Sequence, residues 1–313
     1  MGRFGVAGVA ALCGAFAAAP SLAVATGSPN SLILVYLSQL PLFIGGLWLG
    51  AGAAVMAGLT ASLILLAASN IMAALMFAAL NVVPVVLLVR QALLARTGAA
   101  AGTVQWYPPG LLAVWLTGLG LTAIAVALLV LGGPDGMETT VSDTLAPALD
   151  RLFVENAPGR DELAGLLAMI MPGLVAASWM AMTLINGTLA QGLLARFGAS
   201  WRPSPALGTL SLPMWFPVLP VLAASATALG GTMRFLGINV MIVLTVPFCL
   251  AGLALLHAIA YRFSRPAVLL VAFYVLAGLF GWPLLLATVL GLIDTSFRLR
   301  RRFPVAQSLG ENK

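Results

Sequence analysis

PLFIGGLWLGAGAAVMAG, residues Pro41 to Gly58, carries no charge and sets small residues at strict four-residue spacing: Gly46, Gly50, Ala54 and Gly58. In water such a segment would be a poor core helix, because each glycine costs about 1 kcal/mol in a helix. In lipid there is no hydrophobic drive between helices, and close backbone approach over small residues supplies the packing instead. The stretch therefore reads as part of a membrane helix bundle, with the ladder as a helix-packing face.

Composition agrees. The 313 residues are 61% hydrophobic and 8% charged, with a mean hydropathy of +1.07. Soluble domains carry roughly 25% charged residues, so a soluble fold is excluded. A transmembrane barrel is disfavoured, because its strands alternate apolar and polar residues and these runs are apolar throughout. The fold class expected is all-α, a single polytopic membrane domain over 1–313 with about 8–10 helices of about 20 residues each. The net charge of +6 is distributed as a topology signal and not as a nucleic-acid-binding face.

Outward from the central stretch, residues 4–25 form an apolar run with a second ladder, Ala7, Ala11, Ala15 and Ala19. It reads as a packing face for a partner helix, or as the chance result of abundant alanine. The run also resembles a signal peptide ending at Ala23-Val24-Ala25; a retained first helix is favoured, because everything after it is also membrane. Thr26 to Asn30 then lies outside. Residues 31–89 are nearly unbroken apolar sequence. Three helices with tight turns near Gly50 and Ser69-Asn70 fit, in which case the glycine ladder serves both turn and packing; two longer tilted helices are the alternative.

Arg90 and Arg96 close this run, a small loop follows over Gly98–Gly102, and Trp106-Tyr107 fits an interfacial aromatic belt before the next span. Residues 132–162 form an outer polar loop with seven acidic residues: Asp135, Glu138, Asp143, Asp150, Glu155, Asp161 and Glu162. Val141 to Val154 reads either as a surface amphipathic helix or as plain loop. A long helix then runs to Phe197; it exceeds the membrane, so one end protrudes or Pro172 kinks it. Pro213, Pro217 and Pro220 break the first half of the span after it. Irregular backbone at membrane depth is tolerated only where it is buried in protein or lines a cavity. Gly281-Trp282-Pro283 interrupts the last apolar run, with basic residues at both ends, so a hairpin is expected there and not one crossing. Eight spans plus this hairpin, or ten spans, both fit.

The basic residues order the topology. Arg3, Arg90, Arg96, Arg196, Arg202, Arg262, Arg265, Arg298, Arg300, Arg301, Arg302 and Lys313 fall on one side, and Arg151, Arg160 and Arg234 on the other. The positive-inside rule then places both termini in the cytoplasm of a bacterial inner membrane, with a basic cytoplasmic tail over 298–313.

Polar groups inside spans are the default functional candidates. Gln39, Asn81, Thr183, Asn186, Gln191 and Asn239 are either interhelical glue, worth about 0.6 kcal/mol each, or the lining of a ligand pocket. Asp294 and Arg298, four apart, fit an interfacial ion pair or an ion-coupling pair. His257 fits a hydrogen-bonded packing residue better than a proton carrier. Cys13 and Cys249 have no partners spaced for a disulfide or metal site. No phosphate loop, metal-ligand cluster or nucleophile–base pair is readable, so no enzyme, metal or cofactor is expected, and an ATPase motor would be another polypeptide. Asn186-Gly187-Thr188 matches a glycosylation pattern, without meaning inside an apolar helix.

Several blocks together resemble the YybS-like family of bacterial multi-pass membrane proteins: LPLFIGGLWLGAGAAVMAGL, LINGTLAQGLLARFG, LSLPMWFPVLP, GLALLHAIAYRF and GLIDTSFRLRRR. That family is distantly similar to the S components of energy-coupling-factor transporters, through Pro41, Gly45 and Gly46 to Gly50 and the alanine-rich first helix. The resemblance implies a solute-binding or transport subunit whose first helix docks on a coupling membrane subunit and its ATPase. The chain departs from that pattern in its larger number of spans and its acidic outer loop. The alternative is a non-transporting scaffold or assembly factor, whose basic tail holds a cytoplasmic partner or anionic lipid.

Overall fold

The computed structural model describes residues 3–25, 34–98, 103–131, 133–152 and 159–302. Thr26–Asn30, Phe153 and Val154, and the tail beyond residue 302 lie outside the described residues. The helices are α1 (Arg3–Ala25), α2 (Gln39–Leu49), α3 (Ala51–Ala68), α4 (Ile71–Phe77) and α5 (Val83–Ala92), the last two joined by a π-helical segment at Ala78–Val82. They continue as α6 (Pro109–Leu131), α7 (Pro134–Leu152), α8 (Arg160–Arg196), α9 (Val218–Thr227), α10 (Gly231–Ala260), α11 (Pro266–Phe280) and α12 (Trp282–Phe297). One antiparallel hairpin, β1 (Ala95–Thr97) with β2 (Val104–Trp106), pairs Arg96 with Gln105.

Six helical stretches among the described residues are long and apolar enough to cross a membrane: Gly5–Val24, Ala51–Ala68, Ile71–Ala92, Pro109–Leu131, Glu162–Arg196 and Gly231–Ala260. The protein is therefore an all-helical, multi-span integral membrane protein. Its exterior supports this: large apolar side chains such as Leu59, Leu63, Leu129 and Val130 are exposed, which a bilayer accommodates and water does not. The remaining apolar segments are shorter. α2 has 11 residues and α9 has 10. α11 and α12 form a pair bent by 120°, turning at Gly281 with φ 71°. The expected hairpin at Trp282 thus takes the form of two legs and a sharp turn, not one straight crossing. The expected helical alternative for Val141–Val154 agrees with α7 as far as Leu152.

The described residues fall into two compact units, Met1–Leu116 with Met180–Pro205, and Thr117–Trp179 with Ala206–Lys313. Two of the three boundaries lie inside α6 and α8, and the third, between Pro205 and Ala206, lies in the loop after α8.

In the first unit the central stretch folds as a helical hairpin. Gly50 alone joins α2 to α3, at φ 99°, a conformation glycine adopts without steric cost. A Cβ on Gly46 would lie 2.8 Å from the Ala54 Cβ and 3.1 Å from Val89. A Cβ on Gly58 would collide with Val82 of the π segment. One ladder therefore makes the turn, closes the hairpin and seats α4–α5 against it, as the tight-turn alternative expected. The second break falls at Ser69-Asn70, where the Asn70 side chain accepts the Ala73 N–H at 2.9 Å and caps α4.

Within the first unit α1 packs through a different face from its alanine ladder. Ala11, Ala15 and Ala19 are exposed and Ala7 is only partly covered; the buried face carries Ala10, Gly14, Ala17 and Ala18. A strict four-residue ladder drifts about 40° per step around a helix, and the packed face is instead the one that lets backbone approach backbone. At Gly14 a Cβ would run into the Ala57 carbonyl oxygen and lie 2.8 Å from the Thr60 Cβ.

In the second unit α10 is the central element and packs most extensively on α12. The crossing is reciprocal: a Cβ on Gly252 would meet the Ala287 carbonyl oxygen, and a Cβ on Gly291 would meet that of Phe248. α9 crosses α10 similarly at Gly237, where a Cβ would lie 2.6 Å from the Ala223 carbonyl oxygen. The proline-rich stretch is irregular until Val218, as Pro213 and Pro217 require. Phe216, 1% exposed, anchors it on Phe248 with ring centroids 5.4 Å apart.

Gly14→Ala is predicted to lower stability by about 1–3 kcal/mol through overpacking. Ala15→Leu, on the exposed face, is predicted to change it by less than about 0.5 kcal/mol. Unfolding of the two variants in mild detergent measures this; equal losses would place the α1 contact face elsewhere.

Candidate functional site

The polar groups of the first unit gather around the turn that leads into α2. Leu37 N–H donates to the Leu34 carbonyl at 2.9 Å and Ser38 N–H to Val35 at 3.1 Å, so the chain enters α2 through a tight turn. Gln39 opens α2 with no exposed surface, and its Nε2 donates to the Leu80 carbonyl of the π segment at 3.1 Å. From α8, Asn186 is 1% exposed and its Nδ2 donates to the Tyr36 carbonyl at 2.7 Å and to Met182 at 2.8 Å. The nitrogen of each amide faces a carbonyl, which fixes the amide orientation and leaves the oxygen as the free end.

Among the described residues those oxygens have no partner. Asn186 Oδ1, Gln39 Oε1 and Ser38 Oγ are all buried without a hydrogen bond from the protein. An unsatisfied buried polar atom costs about 1–3 kcal/mol, and three of them at one turn is the departure from ordinary packing that marks this site. Thr183 lies one helical turn before Asn186 and is fully buried. Asn81 sits in the π segment next to Leu80 and is partly exposed. π segments recur at functional sites in helices; here Pro84 follows directly, at the start of α5.

Of the six polar candidates, the structure ties Gln39 and Asn186 to the same stretch, Asn186 bonding the Tyr36 carbonyl just before Gln39, while Asn81 adjoins Gln39's partner Leu80 and Thr183 precedes Asn186 by one helical turn. It sends the other two elsewhere. Gln191 Nε2 donates to the Arg202 carbonyl at 2.7 Å and holds the loop after α8. Arg202, 6% exposed, donates to the Ala92 carbonyl at 3.1 Å, at the C-terminal end of α5, where a cation is favourable. Burial draws its guanidinium below the ordinary value. Trp201 Nε1 donates to the Trp48 carbonyl at 2.7 Å and pins the same loop.

Asn239 belongs to the second unit and acts as glue. Its Oδ1 accepts the Gly173 N–H at 2.5 Å, and its Nδ2 donates to the Met169 carbonyl at 3.0 Å and to Phe235 at 2.8 Å. Gly173 and Met169 are the i and i−4 groups just beyond Pro172, which has no N–H of its own and crowds the preceding turn. One amide on α10 therefore serves the backbone that a proline loosens in α8.

Asp294 pairs with Arg300, not with Arg298, which corrects the expected spacing argument. α12 ends at Phe297, and Arg298 adopts the left-handed conformation at φ 53°. The chain leaves the helix there, so the i, i+4 geometry is never formed. The following 3₁₀ turn, Leu299–Arg302, returns Arg300 to the carboxylate: Nε donates to Oδ2 at 2.6 Å and the backbone N–H donates to Oδ1 at 2.9 Å. Arg300 also reaches the carbonyls of Gly208, at 3.3 Å, and Leu210. The pair thus ties the end of α12 to the chain before the proline-rich stretch.

His257 Nδ1 lies 2.8 Å from the Leu253 carbonyl of its own helix, and its ring meets Tyr274 at 6.0 Å. Cys13 and Cys249 are free thiols. Among the described residues no group of three or more His, Cys, Asp or Glu side chains is placed to hold a metal. An apolar groove of about 890 Å³ in the second unit is lined by Pro217, Val221, Met241, Leu292 and Phe297, and brings no polar cluster together. Sequence reasoning missed Ser38 and Arg300. Ser38 precedes Gln39 at the start of α2 and looks like an ordinary cap, yet its side chain makes no cap bond.

Two substitutions separate these roles. Asn239→Ala is predicted to destabilise the protein by about 1–3 kcal/mol by orphaning the groups beside Pro172. Arg300→Ala is predicted to cost about 3 kcal/mol because it leaves Asp294 buried without its partner, and Arg298→Ala much less. Denaturation of the purified variants measures both, and equal effects of the two arginine changes would refute the pairing. No protein-family model, curated protein or solved structure matches this chain.

Proposed function

We propose that the protein is a solute-binding or transport subunit of the bacterial inner membrane, of the kind the S-component resemblance implies. The observation that carries the proposal is the concentration of buried amides and partnerless oxygens at the Tyr36–Ser38 turn, beside a π segment within an apolar span. Purely structural amides are satisfied, as Asn239 is; a binding site retains unspent acceptors for what it binds. The positive-inside orientation, with both termini cytoplasmic, belongs to this proposal. So do its partners, a coupling membrane subunit and its ATPase.

The second reading is a non-transporting scaffold that docks a cytoplasmic partner through Arg298–Arg302. One of those arginines, Arg300, is already committed to Asp294 and to the Gly208 and Leu210 carbonyls. That leaves less of the basic segment for a partner and favours the transport reading.

The test is purification in mild detergent with mass spectrometry of co-purifying proteins and small molecules. The expected result is a stoichiometric small ligand, or an ATPase with a coupling membrane subunit. Recovery instead of a reproducible cytoplasmic protein, lost in an Arg298/Arg301/Arg302 alanine variant, would shift the assignment to the scaffold. Asn186→Ala and Asn81→Ala are predicted to reduce ligand recovery about tenfold without unfolding the protein. Unchanged recovery in both would remove these residues from the site.

A further inference from the structure

We infer that Ser38, Gln39 and Asn186 form a site for one monovalent alkali cation, sodium being the ion to test. The inference rests on the reading of this cluster as a ligand site, and is independent of whether the protein transports anything.

The donor set argues for it. Within one amide the oxygen and nitrogen are about 2.2 Å apart. Asn186 Oδ1 therefore stays close to the Tyr36 carbonyl that its Nδ2 contacts at 2.7 Å. Ser38 and Gln39 are the next residues after that turn, so the three residues that carry the partnerless oxygens meet there, with Gln39 also reaching the Leu80 carbonyl. Two of them, the amide oxygens, can only accept. What they bind must therefore donate hydrogen bonds or carry positive charge, which excludes an anion.

The sequence narrows the charge. No aspartate or glutamate occurs before Asp135 or within 180–205, so the first unit has no carboxylate side chain. Calcium and magnesium sites draw on carboxylates, and transition metals on nitrogen or sulfur. A set of neutral oxygen donors suits a monovalent hard cation. Neutral carbonyl oxygens do bind such ions in membrane proteins, at filters and where helices are interrupted. The cluster has the same setting, a turn before a short helix and a π segment whose Leu80 carbonyl reaches Gln39.

The experiment is thermal unfolding of the purified full chain in detergent at constant ionic strength, with choline chloride replaced stepwise by sodium or potassium chloride. A ligand that binds only the folded state raises the melting temperature with concentration. The expected result is a saturable rise in sodium or potassium that choline does not give. Ser38→Ala, which removes one oxygen and little volume, is expected to raise the half-saturating concentration about tenfold. Gln39→Met, which keeps the shape and removes the acceptor, is expected to do the same. Equal melting in all salts, or an alkali-cation shift untouched by Ser38→Ala, would overturn the inference and leave the oxygens to buried water. A cation shift without any co-purifying solute or coupling subunit would keep the cation site and remove the transport reading.

Discussion

Helix packing in this protein depends on places where a side chain is missing. In lipid, apolar side chains gain nothing by leaving solvent for a neighbouring helix, so association rests on close contact between backbones. Gly14 against Ala57, Gly58 against Val82, and the reciprocal pair Gly252–Ala287 and Gly291–Phe248 are such contacts. At each, a single Cβ would enter occupied space. The large side chains that would build a soluble core, among them Leu59, Leu63 and Leu129, point outward instead. Large side chains such as Leu42 and Phe216 are buried as well, but at these crossings it is the smallest residues that set how closely the helices approach.

The second constraint is that a backbone group without a partner is costly where water is scarce. The chain meets it by sending polar side chains to broken backbone. Asn70 caps the helix after the Ser69 break, Arg202 serves the end of α5, and Asn239 serves the turn beside Pro172. These polar groups have fixed partners on the protein side. Against them the turn before α2 stands apart: its amides spend their nitrogens on backbone carbonyls and leave their oxygens over. That difference between spent and unspent polar capacity is what separates the candidate site from the glue.

Much of the architecture was legible in the sequence because lipid leaves few solutions. Uncharged runs of sufficient length read directly as helices, and Gly50, Ser69-Asn70 and Gly281 marked their breaks. The contact face of α1 was not legible: alanine is small enough for either face, and only Gly14 distinguished the packed one. The α10–α12 crossing had a readable half in Ala287 and Gly291, four apart, but its partner Phe248 carried no such mark. Among the polar candidates, residue type announced importance without role. Asn186 and Asn239 are equivalent in sequence; a distant proline made one a structural clamp, and a distant turn left the other with a free oxygen. Arg300 escaped notice because a spacing rule holds only while the helix continues, and this helix stops at Phe297.

The clamp at Pro172 also constrains the order of assembly. The Gly173 N–H donates to a side chain 66 residues further along the chain. A growing polypeptide delivers α8 well before α10. The newly inserted α8 therefore cannot hold its final hydrogen bonds, and the region around Pro172 matures only when α10 has been synthesised and packed beside it. The long helix of the finished protein is in this sense a late product, completed by a segment that follows it.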